Sequence, residues 1–177
     1  MRFLKYVLAI NLLALSLFTV NAQKPGKVKW YTLEEAEKLA MTTPKPIFID
    51  TYTDWCSWCK RLETETFSNP VIAEILNTRF YPVKFNAEGN EEISFRGMKF
   101  VNDGKYGRTH QLTIALLRDK VGYPSLIFFN EEIELLTVVP GFQTAKDIEP
   151  LLSFFADKAY DKSTFDEYSA TFKGSVK

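Results

Sequence analysis

The run "PIFIDTYT", residues 46–53, is apolar from Ile47 through Ile49, without the polar alternation of a half-exposed strand. A continuous β-branched and aromatic start of this kind suits a buried strand in the middle of a sheet. "DWCSWCKRLETETF" follows at once and reads as a helix opening where that strand ends. Both cysteines of the chain, Cys56 and Cys59, fall at this handover.

The flanking segments extend the pattern. "KVKWYT" reads as a short strand, and "TLEEAEKLAMTT" as a helix capped by Thr32 with Glu35 in capping-box position, ended by Pro44 and Pro46. Ser68-Asn69-Pro70 breaks the cysteine-bearing helix, and "VIAEILNTR" resumes it with Val71, Ile72, Ile75 and Leu76 on one face. "FYPVKFNA" is the next strand, and Glu91 to Val101 alternates around Arg96-Gly97 as a two-residue hairpin. After the loop "NDGKYG" comes the helix "RTHQLTIALLRDK", with Leu112, Ala115, Leu116 and Leu117 inward. "PSLIFFN" and "ELLTVVPG" read as antiparallel strands, "TAKDIEPLLSFFADKA" as a helix that Pro150 could kink, and "STFDEYSATF" as a last short helix. Strands alternating with helices predict an α/β fold with a mixed central sheet flanked by helices.

With 177 residues, 46% of them hydrophobic and 15% aromatic, the chain can bury one well-packed core and is short for two. Lys plus Arg and Asp plus Glu both number 22, so no charge excess directs it to nucleic acid or an anionic membrane surface, and its partners are expected to be proteins or small molecules. "MRFLKYVLAINLLALSLFTVNAQ" places Arg2 and Lys5 before an apolar run from Val7 to Val20 and small or modest residues at Val20-Asn21-Ala22. That predicts a signal peptide over residues 1–22, a domain over 23–160, a tail over 161–177 and a periplasmic or secreted location. The alternative is an uncleaved anchor, although the run is shorter than the roughly 20 apolar residues a spanning helix needs, so no membrane span is expected in the mature chain. Cleavage removes Arg2 and Lys5, leaving 20 basic against 22 acidic residues, a net charge of −2.

Export gives the cysteines three possible roles: structural staple, metal ligands or reactive pair. A Cys56–Cys59 staple closes a very short loop, and the stabilisation from closing a loop grows with its length. Zinc normally takes four ligands, and the chain has one histidine, His110, so no metal site is predicted. A helix N-terminus, by contrast, presents unpaired N–H groups and partial positive charge that favour a thiolate. Thiols so placed have pKa values of about 3.5 to 7.5 instead of about 8.5. Cys56 is the expected attacking thiol, and Cys59, three residues on and on the same side of the helix, the resolving one. Lys60 and Arg61 either add to the field or are solvated helix-face residues.

"FIDTYTDWCSWCK", "FYPVKFNA", "GYPSLIFFNEEIE" and "VVPGF" together resemble the thioredoxin superfamily from about Val28 to Ala159, in matching order. "DWCSWCKRLETETFSNPVIAEIL" is most similar to its periplasmic thiol-disulfide interchange branch, including the thioredoxin-like C-terminal domain of DsbD. The resemblance implies a thioredoxin fold with a hairpin insertion, about 87–107, before the strand that follows a cis proline. It implies catalytic roles for Cys56, Cys59, a buried Asp50 that helps deprotonate Cys59, and Lys84 paired with it. A carboxyl in a low dielectric has a raised pKa, which suits a proton acceptor near neutral pH. It further implies substrate contacts at Trp55, Trp58, Tyr123, cis Pro124 and Gly141.

The chain departs from the family pattern in three places. Ser57-Trp58 stands where thioredoxin has Gly-Pro, Tyr123 where a smaller aliphatic residue is usual, and Lys84 to Pro124 is about twice the minimal length. The insert either shapes partner choice or is a plain edge extension, and the aromatic tail stripe either packs on its own domain or is offered to a partner. Strong oxidants of the superfamily owe their potential, about −120 mV against about −270 mV for thioredoxin, to an acidic first cysteine aided by a histidine between the pair. The gap amounts to about 7 kcal/mol, and Ser57-Trp58 supplies no cation toward it. A reductase or isomerase of protein disulfides is therefore expected, with a disulfide oxidase, a binding or chaperone module with idle cysteines, and a metal-handling protein as alternatives. The chain has no G-x-G-x-x-G loop and no second cysteine pair, so no cofactor beyond the Cys56-Cys59 disulfide is expected. Its electrons would come from a membrane or periplasmic donor protein.

Overall fold

In the computed structural model, which describes residues 26–118 and 120–177, the elements follow in order along the chain. They are α1 (Leu33–Thr42), β1 (Ile47–Tyr52), α2 (Ser57–Arg61), a π-helical turn (Leu62–Phe67), α3 (Pro70–Arg79), β2 (Tyr81–Asn86), β3 (Ile93–Phe95), β4 (Met98–Phe100), α4 (Gln111–Leu117), β5 (Ser125–Phe129), β6 (Leu135–Pro140), α5 (Ala145–Ala156), a 3₁₀ turn (Ala159–Asp161) and α6 (Phe165–Thr171). The expected signal peptide, 1–22, lies outside the described residues. No described helix is long and apolar enough to cross a membrane.

β1 is the interior strand that its apolar run predicts, with Ile47 to Thr51 buried. It pairs in parallel with β2 and antiparallel with β5, and β6 pairs antiparallel with β5, giving a mixed sheet of order β2-β1-β5-β6. Successive strand residues point to opposite faces, so each strand serves two cores. Ile47, Ile49, Val83, Phe85, Ile127 and Phe129 pack with Leu33, Ala36 and Ala40 of α1, Leu112, Leu116 and Leu117 of α4, and Phe95 of β3. Phe48, Leu126 and Phe128 pack with Leu62 and Phe67, with Ile72 and Leu76 of α3, and with Ile148, Leu152 and Phe155 of α5. Helices thus cover both faces of the sheet, as the thioredoxin-like reading requires.

Local chemistry accounts for the boundaries. Thr32 and Glu35 form the expected capping box at α1. Asn69 caps α3, whose first residue is Pro70. The cysteine-bearing helix is not α-helical throughout: from Leu62 it widens to a π turn, which brings Leu62, Thr66 and Phe67 to one buried face. Thr64 and Ser68 donate side-chain hydrogen bonds to the carbonyls of Lys60 (3.0 Å) and Thr64 (2.6 Å) along this stretch.

Two expectations are corrected. "KVKWYT" is not a strand: Tyr31 alone bridges to Val83, while the Lys29 N–H donates to Asn77 Oδ1 (2.8 Å) and Asn77 Nδ2 donates to the Lys27 carbonyl (3.1 Å). A side chain of α3 takes the bonds a strand partner would have taken. In α4 the inward residues are Leu112, Thr113, Leu116 and Leu117, and Ala115 is exposed. Thr113 is tolerated in the core because its hydroxyl donates to the Ala87 carbonyl (3.1 Å).

The hairpin turns at Arg96 (φ 52°) and Gly97 (φ 74°) and docks on α1, where Glu34 and Glu37 accept the backbone N–H groups of Ser94 (3.1 Å) and Arg96 (2.7 Å). The tail stripe folds onto its own chain: Phe165 and Tyr168 meet Phe154 at 5.5 and 5.3 Å between centroids. The buried Glu149 carboxylate then accepts the N–H groups of Ser175 (2.6 Å) and Val176 (3.0 Å).

Candidate functional site

Cys56 occupies the N-cap of α2, in extended conformation (φ −72°, ψ 104°). Its N–H donates to the Thr53 carbonyl (3.2 Å), its carbonyl accepts from Lys60 N–H (3.2 Å), and its sulfur accepts the Cys59 N–H (3.1 Å). Sulfur here does what a Ser or Asp oxygen does at other helix starts, satisfying one of the orphan N–H groups. Cys56 and Cys59 are joined as a disulfide, and each is 5% exposed.

Asp50 stands directly opposite Lys84 in the β1–β2 register, so the two side chains leave the same face of the sheet as neighbours. Asp50 is 1% exposed and its carboxylate has no hydrogen-bond partner; Lys84 Nζ lies 3.5 Å from Oδ2, an ion pair without a hydrogen bond. Burial pushes the Asp50 carboxyl up from 3.8 to about 6, and the Lys84 charge offsets only part of that. Lys84 divides its charge, for it also pairs closely with Glu63 on the π turn and lies over the rings of Trp30 and Tyr52. Glu63 escapes the sequence reading, though its place four residues after Cys59, on the same helical face, was a usable signal. A cavity of about 270 Å³ is bounded by Cys59, Glu63, Lys84, Tyr52, Thr53 and Asp54, so Cys59 borders open space on the side where the charges lie.

The opposite wall comes from the β5–β6 side. The Tyr123–Pro124 bond is cis, and the Pro124 carbonyl accepts the N–H of Gly141 (2.8 Å), whose φ of +87° would strain any side chain. Trp55, 58% exposed, meets Tyr123 edge-to-face at 6.1 Å and donates its indole N–H to Glu88 Oε2 (3.0 Å). Trp58, 51% exposed, leans on Phe142 at 5.6 Å. The Arg61 guanidinium lies over both those rings and is bonded to Glu65 (2.9 and 3.0 Å), so its charge is already engaged. Thr66 Oγ1 donates to the Gln143 carbonyl (2.6 Å), tying the π turn to the loop that carries Gly141 and Phe142.

The expected residues therefore converge. Trp55, Cys56, Trp58 and Cys59 start α2, Tyr123, Pro124 and Gly141 form one bonded unit that reaches Trp55, and Asp50 with Lys84 lies side by side on the sheet. Glu63, Glu88 and Phe142 complete the surroundings without having been singled out. His110 is elsewhere: wholly buried, it caps α4 by accepting the Leu112 N–H at Nδ1 (3.1 Å) and bonds the Glu91 carbonyl through Nε2 (3.0 Å). Among the described residues no group of three or more His, Cys, Asp and Glu side chains is arranged to hold a metal ion.

A family profile described as "Thioredox_DsbH: Protein of unknown function, DUF255" matches residues 14–150. Spermatogenesis-associated protein 20 of Homo sapiens is 30% identical over 118 residues, 66% of this chain and 15% of that protein. Thiol:disulfide interchange protein DsbD of Campylobacter jejuni (strain RM1221) is 29% identical over 133 residues, 73% of this chain and 20% of that protein. The chain spans a fifth or less of the length of these relatives. A thioredoxin from Thermus thermophilus, solved in solution, superposes with a TM-score of 0.54 at 16% identity, covering 84% of this chain and 100% of that one, a likeness of fold.

Proposed function

The chain belongs to the thioredoxin-like DsbH family, and on that footing we propose that it is a thiol-disulfide oxidoreductase acting on protein disulfides outside the cytoplasm. The observation that carries this reading is the Cys56 sulfur at a helix start, accepting the Cys59 N–H at 3.1 Å. The name of its DsbD relatives, thiol:disulfide interchange protein, points the same way.

In the reducing direction the Cys56 thiolate attacks one sulfur of a substrate disulfide, and the other sulfur leaves as a thiolate that takes up a proton. Asp50, with a carboxyl at about 6, accepts the Cys59 proton on the side where the charges lie. The Cys59 thiolate then displaces the second substrate sulfur from Cys56. Two electrons have passed to the substrate, and the chain is left with the Cys56–Cys59 bond. A dithiol on a membrane or periplasmic donor protein restores the reduced pair, so the cysteines themselves are the redox group. Trp55, Trp58, Tyr123, Pro124 and Gly141 receive the substrate strand, main chain against main chain.

Reduction or isomerisation is favoured over oxidation because Ser57-Trp58 offers no cation to a Cys56 thiolate and Arg61 is engaged with Glu65. The test is turnover of insulin with dithiothreitol as donor, expected for the wild type and abolished in Cys56→Ala. No turnover by fully reduced protein would sink the enzymatic reading. A potential above about −150 mV would reverse the direction.

A further inference from the structure

The segment inserted between Lys84 and Pro124 meets Trp55, beside the redox pair, at Glu88. Glu88 Oε2 accepts the Trp55 indole N–H (3.0 Å) and forms an ion pair with Arg108, whose Nη2 lies 2.7 Å away. Residues on either side of Arg108 are bonded to the same short stretch after β2. Asn102 Nδ2 donates to the carbonyls of Gly89 (3.1 Å) and Arg108 (3.0 Å), and the His110 N–H donates to the Ala87 carbonyl (2.8 Å). Trp55 also meets Tyr123, whose phenol is pushed up by burial, with the Thr109 side chain acting against this and the Glu88 charge adding to it. Trp55 and Tyr123 are therefore both in reach of the end of the insert.

Trp55 is more than half exposed, so one edge contact with Tyr123 and one hydrogen bond to Glu88 fix its ring. Glu88 has its side chain 16% exposed, and Arg108 is the cation paired with it. Without Arg108 the carboxylate would hold Trp55 alone and could turn toward water. Resting on the oxidoreductase reading above, we propose that Arg108 is a positioning residue: acting through Glu88, it sets the Trp55 indole for docking of protein disulfides and makes the insert part of the recognition face.

The test compares Arg108→Ala and Arg108→Lys with the wild type, using insulin as the protein disulfide. Arg108→Ala is expected to raise KM about three- to fivefold, the range set by loss of one partly exposed ion pair, with kcat within about twofold. The Trp55 indole N–H resonance is expected to move in Arg108→Ala, and Arg108→Lys to return both KM and the resonance most of the way. An unchanged KM, or a changed KM with an unmoved Trp55 resonance, overturns the proposal. Should the wild type itself show no turnover, the oxidoreductase reading falls, while the resonance still decides whether Arg108 sets the indole.

Discussion

Asp50 is the residue whose environment is least like that of an ordinary member of its type. A carboxyl that is 1% exposed, without a hydrogen bond and 3.5 Å from a lysine shared with Glu63 pays for its position in stability. Between its ordinary value of 3.8 and the folded value of about 6, the native chain holds a proton that the unfolded chain has released. Stability due to this group therefore falls as pH rises through that window, and the full cost of the buried charge is present above about pH 6. Asp50→Asn is expected to raise stability in urea at pH 7.5 by up to about 2 to 3 kcal/mol, from a shift of about two pKa units, and to bring little gain near pH 4. The same variant should slow disulfide turnover by about 100-fold, the usual cost of removing a general base. Equal stability at pH 7.5 would mean that Lys84 already compensates the charge.

The helices and strands were legible in the sequence where their cause is local. The Thr32–Glu35 capping box, the apolar run of β1 and the Arg96-Gly97 turn all appear as expected, each being fixed by residues a few positions apart. "KVKWYT" failed as a strand because its bonds go to Asn77, far along the chain, and the π turn at Leu62 follows from which side chains the core accepts. The tail belongs with these non-local cases. Its last residues are held by Glu149, a side chain that no helical pattern marks as a clasp. Glu149→Ala is expected to lower stability by about 1 to 3 kcal/mol, the cost of losing two part-buried hydrogen bonds to a charged carboxylate, and to speed amide exchange at Ser175 and Val176. Unchanged exchange there would show the tail to be held by Phe165 and Tyr168 alone.

Taken whole, the molecule places a disulfide where the central strand meets a helix, a charged floor on one side and an aromatic wall on the other. The cysteine pair was legible because C-x-x-C at a helix start is a local signal, whereas the floor was expected only through the resemblance to thioredoxins, since the register that sets Asp50 opposite Lys84 arises on folding. Phe142, Glu88 and Arg108 were not legible, since each matters only through a partner brought near by folding, and Glu63 was marked only by its place four residues after Cys59. A sequence displays residue types and spacings, whereas the way Lys84 divides between two carboxylates exists only in three dimensions. What the whole arrangement must do is ionise Cys56. The direct measurement is the pH dependence of Cys56 alkylation by iodoacetamide in the fully reduced chain, in a Cys59→Ala background. An apparent pKa below about 7.5 is expected from the helix start and its N–H groups. A midpoint near 8.5, or a reduced Cys56 that refuses the reagent, would contradict the exchange chemistry.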